Sequence, residues 1–415
     1  MEKMFRRLLT LEEARKAIYQ NFEVKPLGVE EIPLLEAYNR VLAEDVTSPL
    51  DIPPFNRSTV DGYAVKSADT FSAEENRPIK LKLCGAVTVG EMPKKAVEHG
   101  TAAEIMTGAP IPEGADAVVM AEYTERKNGE IYVYSAVAKD ENVMKAGSDI
   151  RKGETVLKKG QLLGAREIGA IAAVGLSKVK VYIVPRVAVL STGAEVTEPG
   201  KPLLPGKIYD INAYSLSTAI SESGGKPLYM GVFPDDAFEI EKALKKALAS
   251  ADMVITSGGV SVGPKDVIPK TLGSLGKPGL IVCGITIKPG KPTTIAVVNG
   301  KLVFSLPGHP TSALFIFHLL ARPIIEGLAG REPEQAYTVK ALASTRMFPA
   351  KGRRTFIMVK LKEDKAKRLF ADPVPTGLSG AITTLVNADG FIEIPENQQF
   401  IDEGEEVTVH LFKKL

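Results

Sequence analysis

Three loops that end short apolar runs hold most of the residues in this chain able to handle an anion. Met253–Thr256 runs into Ser257-Gly258-Gly259, and Leu302–Leu306 runs into Pro307-Gly308. Between them, Cys-Gly-Ile-Thr-Ile-Lys-Pro-Gly-Lys-Pro (residues 283–292) carries Lys288 and Lys291. Backbone N–H groups of glycine loops and helix starts favour anions. The two lysines add whole positive charges, and Asp266 adds a carboxylate able to hold a metal. Together these residues describe a pocket for a phosphorylated or oxyanionic substrate. Singly, each has an ordinary explanation: Pro-Gly and Gly-Gly make turns, and lysines sit on surfaces. The functional explanation requires that the loops share one sheet.

The surrounding pattern supplies such a sheet. From Val179 onward strands and helices alternate, which predicts a βα series with a largely parallel sheet. Two more strand ends carry polar residues: Ser191-Thr192-Gly193 with Glu195, and Asp235-Asp236. In open α/β sheets, ligands sit outside the carboxyl ends of the strands. The helix starts have their own signals. Asn212 is placed to cap one helix, Asp236 with Glu239 fits a capping box on the next, and Thr311 or Ser312 can cap the apolar helix that runs to about Leu320. By the same logic, Asp235 or Asp236 serves as an N-cap and Glu195 as a solvated loop residue.

The 415 residues suit two to four domains. Residues 1–45 predict an amphipathic helix, rather than a signal peptide, and a second helix from about Pro33 to Leu42. The stretch 48–65 is too rich in Pro, Asn, Ser and Asp for a regular element, and loops this elaborate carry function more often than short turns do. Residues 79–135 read as strands, with Asn128-Gly129 as a hairpin turn. Residues 165–175 predict a helix ended by Gly175 that packs with the N-terminal helices. Four short strands fill the last 80 or so residues. The expected fold is therefore α/β and β multidomain. An elongated helical linking domain takes 1–45 plus 141–178, and a β-rich insert takes 46–140. A mostly parallel α/β domain takes 179–330, and a small β domain takes 331–415.

Composition narrows the setting. Hydrophobic residues make up 44% and charged residues 25%, with a net charge of +2, so nothing demands nucleic acid or an anionic membrane as partner. No uncharged run approaches the roughly 20 residues of a membrane span. Cys84 and Cys283 lack metal-ligand spacing and suit a reduced cytoplasm. Four scattered histidines argue against a histidine-rich zinc site.

Seven segments, in order, carry a resemblance: STVDGYAV, IMTGAP, STGAE, IYDIN, TSGGVSVGPKD, IKPGKP and LPGHPTSA. In these the chain resembles the molybdopterin molybdenumtransferases, the family that includes the E domain of gephyrin. The likeness spans essentially the whole chain. It implies a homodimer with a central domain of the molybdopterin-binding type. It also implies the last step of molybdenum cofactor synthesis: adenylylated molybdopterin and an oxyanion, molybdate or tungstate, give the cofactor and AMP with the help of Mg²⁺. A transient complex with molybdopterin adenylyltransferase is a further expectation. By matching motifs, Asp61, Thr107, Glu195, Asp235, Asp266, Lys288, Pro307 and Pro310 fall on functional positions. Asp61, Glu195, Asp235 and Asp266 are the implied metal carboxylates. Ser257, Gly258, Gly259, Ser261 and Gly308 form the substrate loops, and Lys291, Pro292, Ser312, Arg353 and Ser379 fall near molybdate-contacting positions. Met144, Gly284 and Met358 stand where cations are common in the family, and His309 where Asn is usual, which predicts weaker oxyanion binding. Two alternatives stay open: an adenylyltransferase, which would resemble residues 180–330 alone, and a gephyrin-like scaffold without turnover.

Overall fold

The computed structural model describes residues 8–259, 267–332, 337–374 and 383–412. The chain forms two compact units. One is built from Glu31–Tyr38 and Glu44–Val179, the other from Met1–Glu30, Asn39–Ala43 and Lys180–Leu415.

The larger unit holds the expected βα series. Its six-stranded sheet runs in the order Lys226–Phe233, Arg186–Thr192, Met253–Ser257, Lys301–Leu306, Thr294–Val298, Pro278–Cys283. The first four strands are parallel, and the fifth, Thr294–Val298, runs antiparallel to both its neighbours. Both faces are covered, which is why these strands read as continuous apolar runs. Val187, Val189, Met253 and Ile255 face one core, and Ala188, Leu190 and Val254 face the other. The parallel register brings Thr192, Ser257 and Leu306 to the same end of the sheet, so the loops that follow them share one edge.

The N-terminal helix, Leu11–Asn21, belongs to this larger unit. Leu11, Ala14 and Ile18 are at most 3% exposed and sit in the same core as the sheet, so the first helix does not join residues 141–178 as expected. Thr10 and Glu13 close a capping box at its start. No second helix forms near Pro33. A strand, Val29–Pro33, and a single 3-10 turn, Leu34–Glu36, stand there, and Asn39 takes φ 62, outside helical space. Helix Ala165–Ala173 forms as expected, with Gly175 at φ 83 beyond its end, and packs on the Leu34–Glu36 turn.

The apolar run after Pro307 is helical from Pro310 to Leu328, with a π turn at Phe317–Ala321. Among the described residues it is long and apolar enough to cross a membrane, but 67% of its apolar window is buried inside the protein. Phe315, Ile316, Phe317 and Ile325 lie in the core beside the sheet, so this is a core helix. His318 on the π turn packs against Phe317 and Phe412, and burial pulls its pKa down to about 4. In the last part of the chain, strands Arg354–Glu363, Leu369–Pro373, Thr338–Ala343, Glu406–Leu411 and Gly390–Ile394 pair in turn. The first pairs again with the last, closing a small barrel. Ile287–Lys288 lies parallel to Arg354–Thr355 and ties the Lys288 loop to that barrel.

The smaller unit is built on a second six-stranded sheet, ordered Ala117–Met120, Gly62–Val65, Thr101–Ile105, Ile79–Val87, Glu130–Val133, Thr124–Lys127. Successive residues face opposite cores: Tyr63 and Val65 one, Ala64 and Val118 the other. The hairpin turn falls at Asn128 (φ 51) and Gly129 (φ 80), the two positive φ values that a type I′ turn requires.

Candidate active site

Gly258 decides how the strand-end loops meet. Its φ is +91, and a Cβ there would stand 2.3 Å from the Thr192 carbonyl oxygen. Only glycine lets the chain leave the Met253–Ser257 strand so close to its neighbour. Its N–H donates to Leu306 O at 3.2 Å, so that donor is already used. The N–H groups of Gly259 and Gly308 donate to no described residue. Gly259 and Gly308 thus hold the N–H groups left unengaged among the described residues, and Gly258 supplies the close approach.

Asn212 has a different place from the one its sequence context suggests. Asp210 Oδ1 accepts from the Ala213 N–H at 3.0 Å and serves the helix start, and Asn212 is the first helical residue. Its side chain turns inward. Nδ2 donates to Ser257 Oγ at 2.6 Å and to Gly308 O at 2.7 Å. The Gly308 carbonyl can only accept, which fixes the amide's orientation. Asn212 Oδ1 and Ser191 Oγ are buried with no partner among the described residues. An acceptor in that position costs about 1–3 kcal/mol. Thr311 and Ser312 are likewise inside their helix rather than capping it: His309 precedes the helix, Pro310 is its first residue, and both hydroxyl residues are buried in the first turn. Pro307 is buried, and its carbonyl lies 3.5 Å from Ser257 Oγ.

The neighbouring acids divide their tasks. Asp236 caps its helix, its Oδ1 accepting from Phe238 N at 2.9 Å and Glu239 N at 3.1 Å. Asp235 and Glu195 are exposed, and their carboxylates have no hydrogen bond or ion pair among the described residues. No group of three His, Cys, Asp or Glu side chains gathers at a metal-binding distance among the described residues. Asp266, Ser261 and Ser379 lie outside them. Lys288 is exposed, Lys291, Pro292 and Arg353 are half-buried, and the three cations form no ion pair among the described residues. Arg354, by contrast, is held by Glu12, Glu393 and Glu396. Of these two adjacent arginines, Arg353 is therefore the one available to a ligand.

Two of the three substituted positions are not vacated cation sites. Gly284 is buried at φ +85, and a Cβ there would meet Leu8 Cδ2 at 2.5 Å. Met358 is 1% exposed in the main core. Met144 has a cation beside it across the strand pair, where Arg57 Nη2 lies 3.3 Å from the Met144 sulfur. Sequence reasoning does not single out Arg57. The available signal was its place in the run Asn-Arg-Ser-Thr-Val-Asp (residues 56–61), which ends at Asp61.

In the smaller unit, Asp61 and Thr107 come together. The Thr107 N–H donates to Asp61 Oδ1 at 2.7 Å and its hydroxyl donates at 2.8 Å. These two bonds, the backbone one first, hold the exposed Asp61 carboxyl below its usual range. Asp61 is positioned by its successor: a Cβ on Gly62 would stand 1.9 Å from Val119 O, so the strand starts at a backbone contact only glycine permits.

Family models match the chain along its length. Residues 9–175 match the MoeA N-terminal region (domain I and II), 188–327 the Probable molybdopterin binding domain, and 340–412 the MoeA C-terminal region (domain IV). The molybdopterin molybdenumtransferase of Haemophilus influenzae is 33% identical over 410 residues, 98% of this chain and 100% of that one. The chain belongs to the MoeA family. The enzyme of the same name from Bacillus subtilis is 33% identical and covers 93% of this MoeA chain and 90% of its own length. A solved molybdopterin biosynthesis MoeA protein from Pyrococcus horikosii superposes with a TM-score of 0.85, at 45% identity, over 99% of this chain and 100% of that one. Matches on both sides of the α/β region set this MoeA chain apart from proteins that resemble 180–330 alone.

Proposed function

We infer that the chain is a molybdopterin molybdenumtransferase: adenylylated molybdopterin and molybdate, or tungstate, yield the metal-loaded cofactor and AMP. The observation that carries this is the shared strand-end edge, where Gly259 and Gly308 offer N–H groups unengaged among the described residues. Such donors suit the phosphates of an adenylylated substrate. Unit charges about 4 Å apart interact by roughly 4 kcal/mol at an effective dielectric near 20, so bringing an oxyanion beside a pyrophosphate requires cations. Lys288, Lys291 and Arg353 carry no competing ion pair among the described residues and suit that role. Asp61, kept ionised by Thr107, is a further carboxylate, with one oxygen uncommitted to that pair.

Mg²⁺ fits the chemistry of the donor set. In the larger unit Glu195, Asp235 and Asp266 are all oxygen donors, and Glu195 and Asp235 hold no other partner among the described residues. Mg²⁺ takes one or two carboxylates with water and substrate phosphate oxygens, so a protein cage of three ligands is not required. When bound, it would polarise the phosphoanhydride. We also propose that the protein works in the cytoplasm as a homodimer, with molybdopterin adenylyltransferase as a transient partner; light scattering of the purified protein tests the dimer.

The decisive experiment supplies adenylylated molybdopterin, Mg²⁺ and molybdate, and follows AMP. Release of one AMP per cofactor formed supports the transferase. No AMP release would remove that reading and leave the scaffold. Adenylylation of molybdopterin from ATP would favour the adenylyltransferase.

A further inference from the structure

We propose that Asn212 is a positioning residue, whose single carboxamide sets the spacing between the two substrate loops. The proposal rests on the reading that these loops bind adenylylated molybdopterin. Both N–H bonds of Asn212 Nδ2 are used, and they cross to different loops: Ser257 Oγ at 2.6 Å and Gly308 O at 2.7 Å. The unengaged N–H donors lie close to those acceptors in the chain, at Gly259 and Gly308. One amide therefore fixes how far apart two loops with unengaged donors stand.

Two observations separate this role from simple stabilisation. The helix start that Asn212 opens is served by Asp210, so the amide is not needed as a cap. Its Oδ1 is buried without a donor among the described residues, which sets a cost against the two bonds it makes. The geometry is that of a residue retained for the frame it imposes on the loops.

The test uses the full-length protein, with pterin fluorescence to follow adenylylated molybdopterin binding, AMP release to follow turnover, and thermal unfolding to follow the fold. Asn212→Ala should keep its Tm within a few degrees. It should weaken binding or turnover by about 10- to 100-fold, since a displacement near 1 Å at a reacting centre costs on that order. Ser257→Ala, which leaves the Gly308 bond intact, should lose less. Asn212→Asp, nearly isosteric, sets an oxygen against the Gly308 carbonyl and a negative charge beside an anion, and should lose more. The proposal is overturned if Asn212→Ala binds and turns over within twofold of wild type, or if it fails to fold. If wild type itself does not bind adenylylated molybdopterin, the reading beneath the proposal fails first, and the wild-type titration shows it directly.

Discussion

The strand-end loops and the Asp61–Thr107 pair are built by opposite means. Around Gly258 the geometry is backbone against backbone: a Cβ would collide with Thr192 O at 2.3 Å, and Ser257, Thr192 and Leu306 are buried. Around Asp61 the geometry is two hydrogen bonds on an exposed carboxylate. The first arrangement cannot be altered without disturbing the sheet. The second can lose its chemistry while the fold stays. The proposed binding frame and the proposed catalytic carboxylate are thus expected to be separable by mutation.

Gly258→Ala should show the largest effect. An L residue at φ +91 costs about 1–3 kcal/mol, and a Cβ against an immovable carbonyl about as much again, so roughly 2–6 kcal/mol should be lost in urea unfolding, together with substrate binding. Stability within about 0.5 kcal/mol of wild type, the ordinary range for a surface change, would show that the loop can move away from Thr192.

Gly284→Lys comes next. On sequence alone, this change restores a cation and tightens molybdate binding. Its position at φ +85, with Leu8 Cδ2 at 2.5 Å from a Cβ, makes it a packing change, cheaper than Gly258 because a side chain can give way. About 1–3 kcal/mol should be lost with no gain in oxyanion affinity. A tighter molybdate titration would mean that the lysine reaches the site.

Thr107→Ala should have the smallest effect and the most specific one. It removes the hydroxyl bond and leaves the stronger backbone bond, so the Asp61 pKa should rise part of the way towards its ordinary 3.8. The sign for stability follows. A carboxyl depressed in the folded state stabilises above its unfolded pKa and loses that contribution as pH falls through the folded value. The variant should therefore lose its small contribution at a higher pH than wild type, still below about 4. Carbon-detected NMR titration of Asp61 measures the shift, and an unmoved pKa would remove the Thr107 hydroxyl as its cause.

These contrasts also explain what could be read from the sequence. Apolar strands ending in Gly-Gly or Pro-Gly announce themselves by composition, so the sheet, its edge and the loops were legible. The turn at Asn128-Gly129 was legible because few residues tolerate its φ values. Side-chain direction was not. Asn212 looks like a cap because caps are made by Asn, yet Asp210 two residues earlier takes that role and frees the amide for the loops. Asp235 and Asp236 are adjacent and chemically alike, and only the backbone decides which one caps. The first helix was legible as a helix, but its packing partner lies far along the chain, in the sheet strand Pro278–Cys283. Gly284 and Met358 look like missing charges in a motif, and only their burial shows that they are packing residues.

The most direct measurement pairs two readouts on one protein, Asp61→Asn. Adenylylated molybdopterin binding and AMP release are followed on the same preparation with Mg²⁺ and molybdate. Asn is nearly isosteric and Asp61 is exposed, so the loops should bind substrate within about twofold of wild type, while AMP release should fall by about 100-fold or more. Loss of binding in parallel with turnover would contradict the separation of frame and carboxylate, and so would turnover that survives the change.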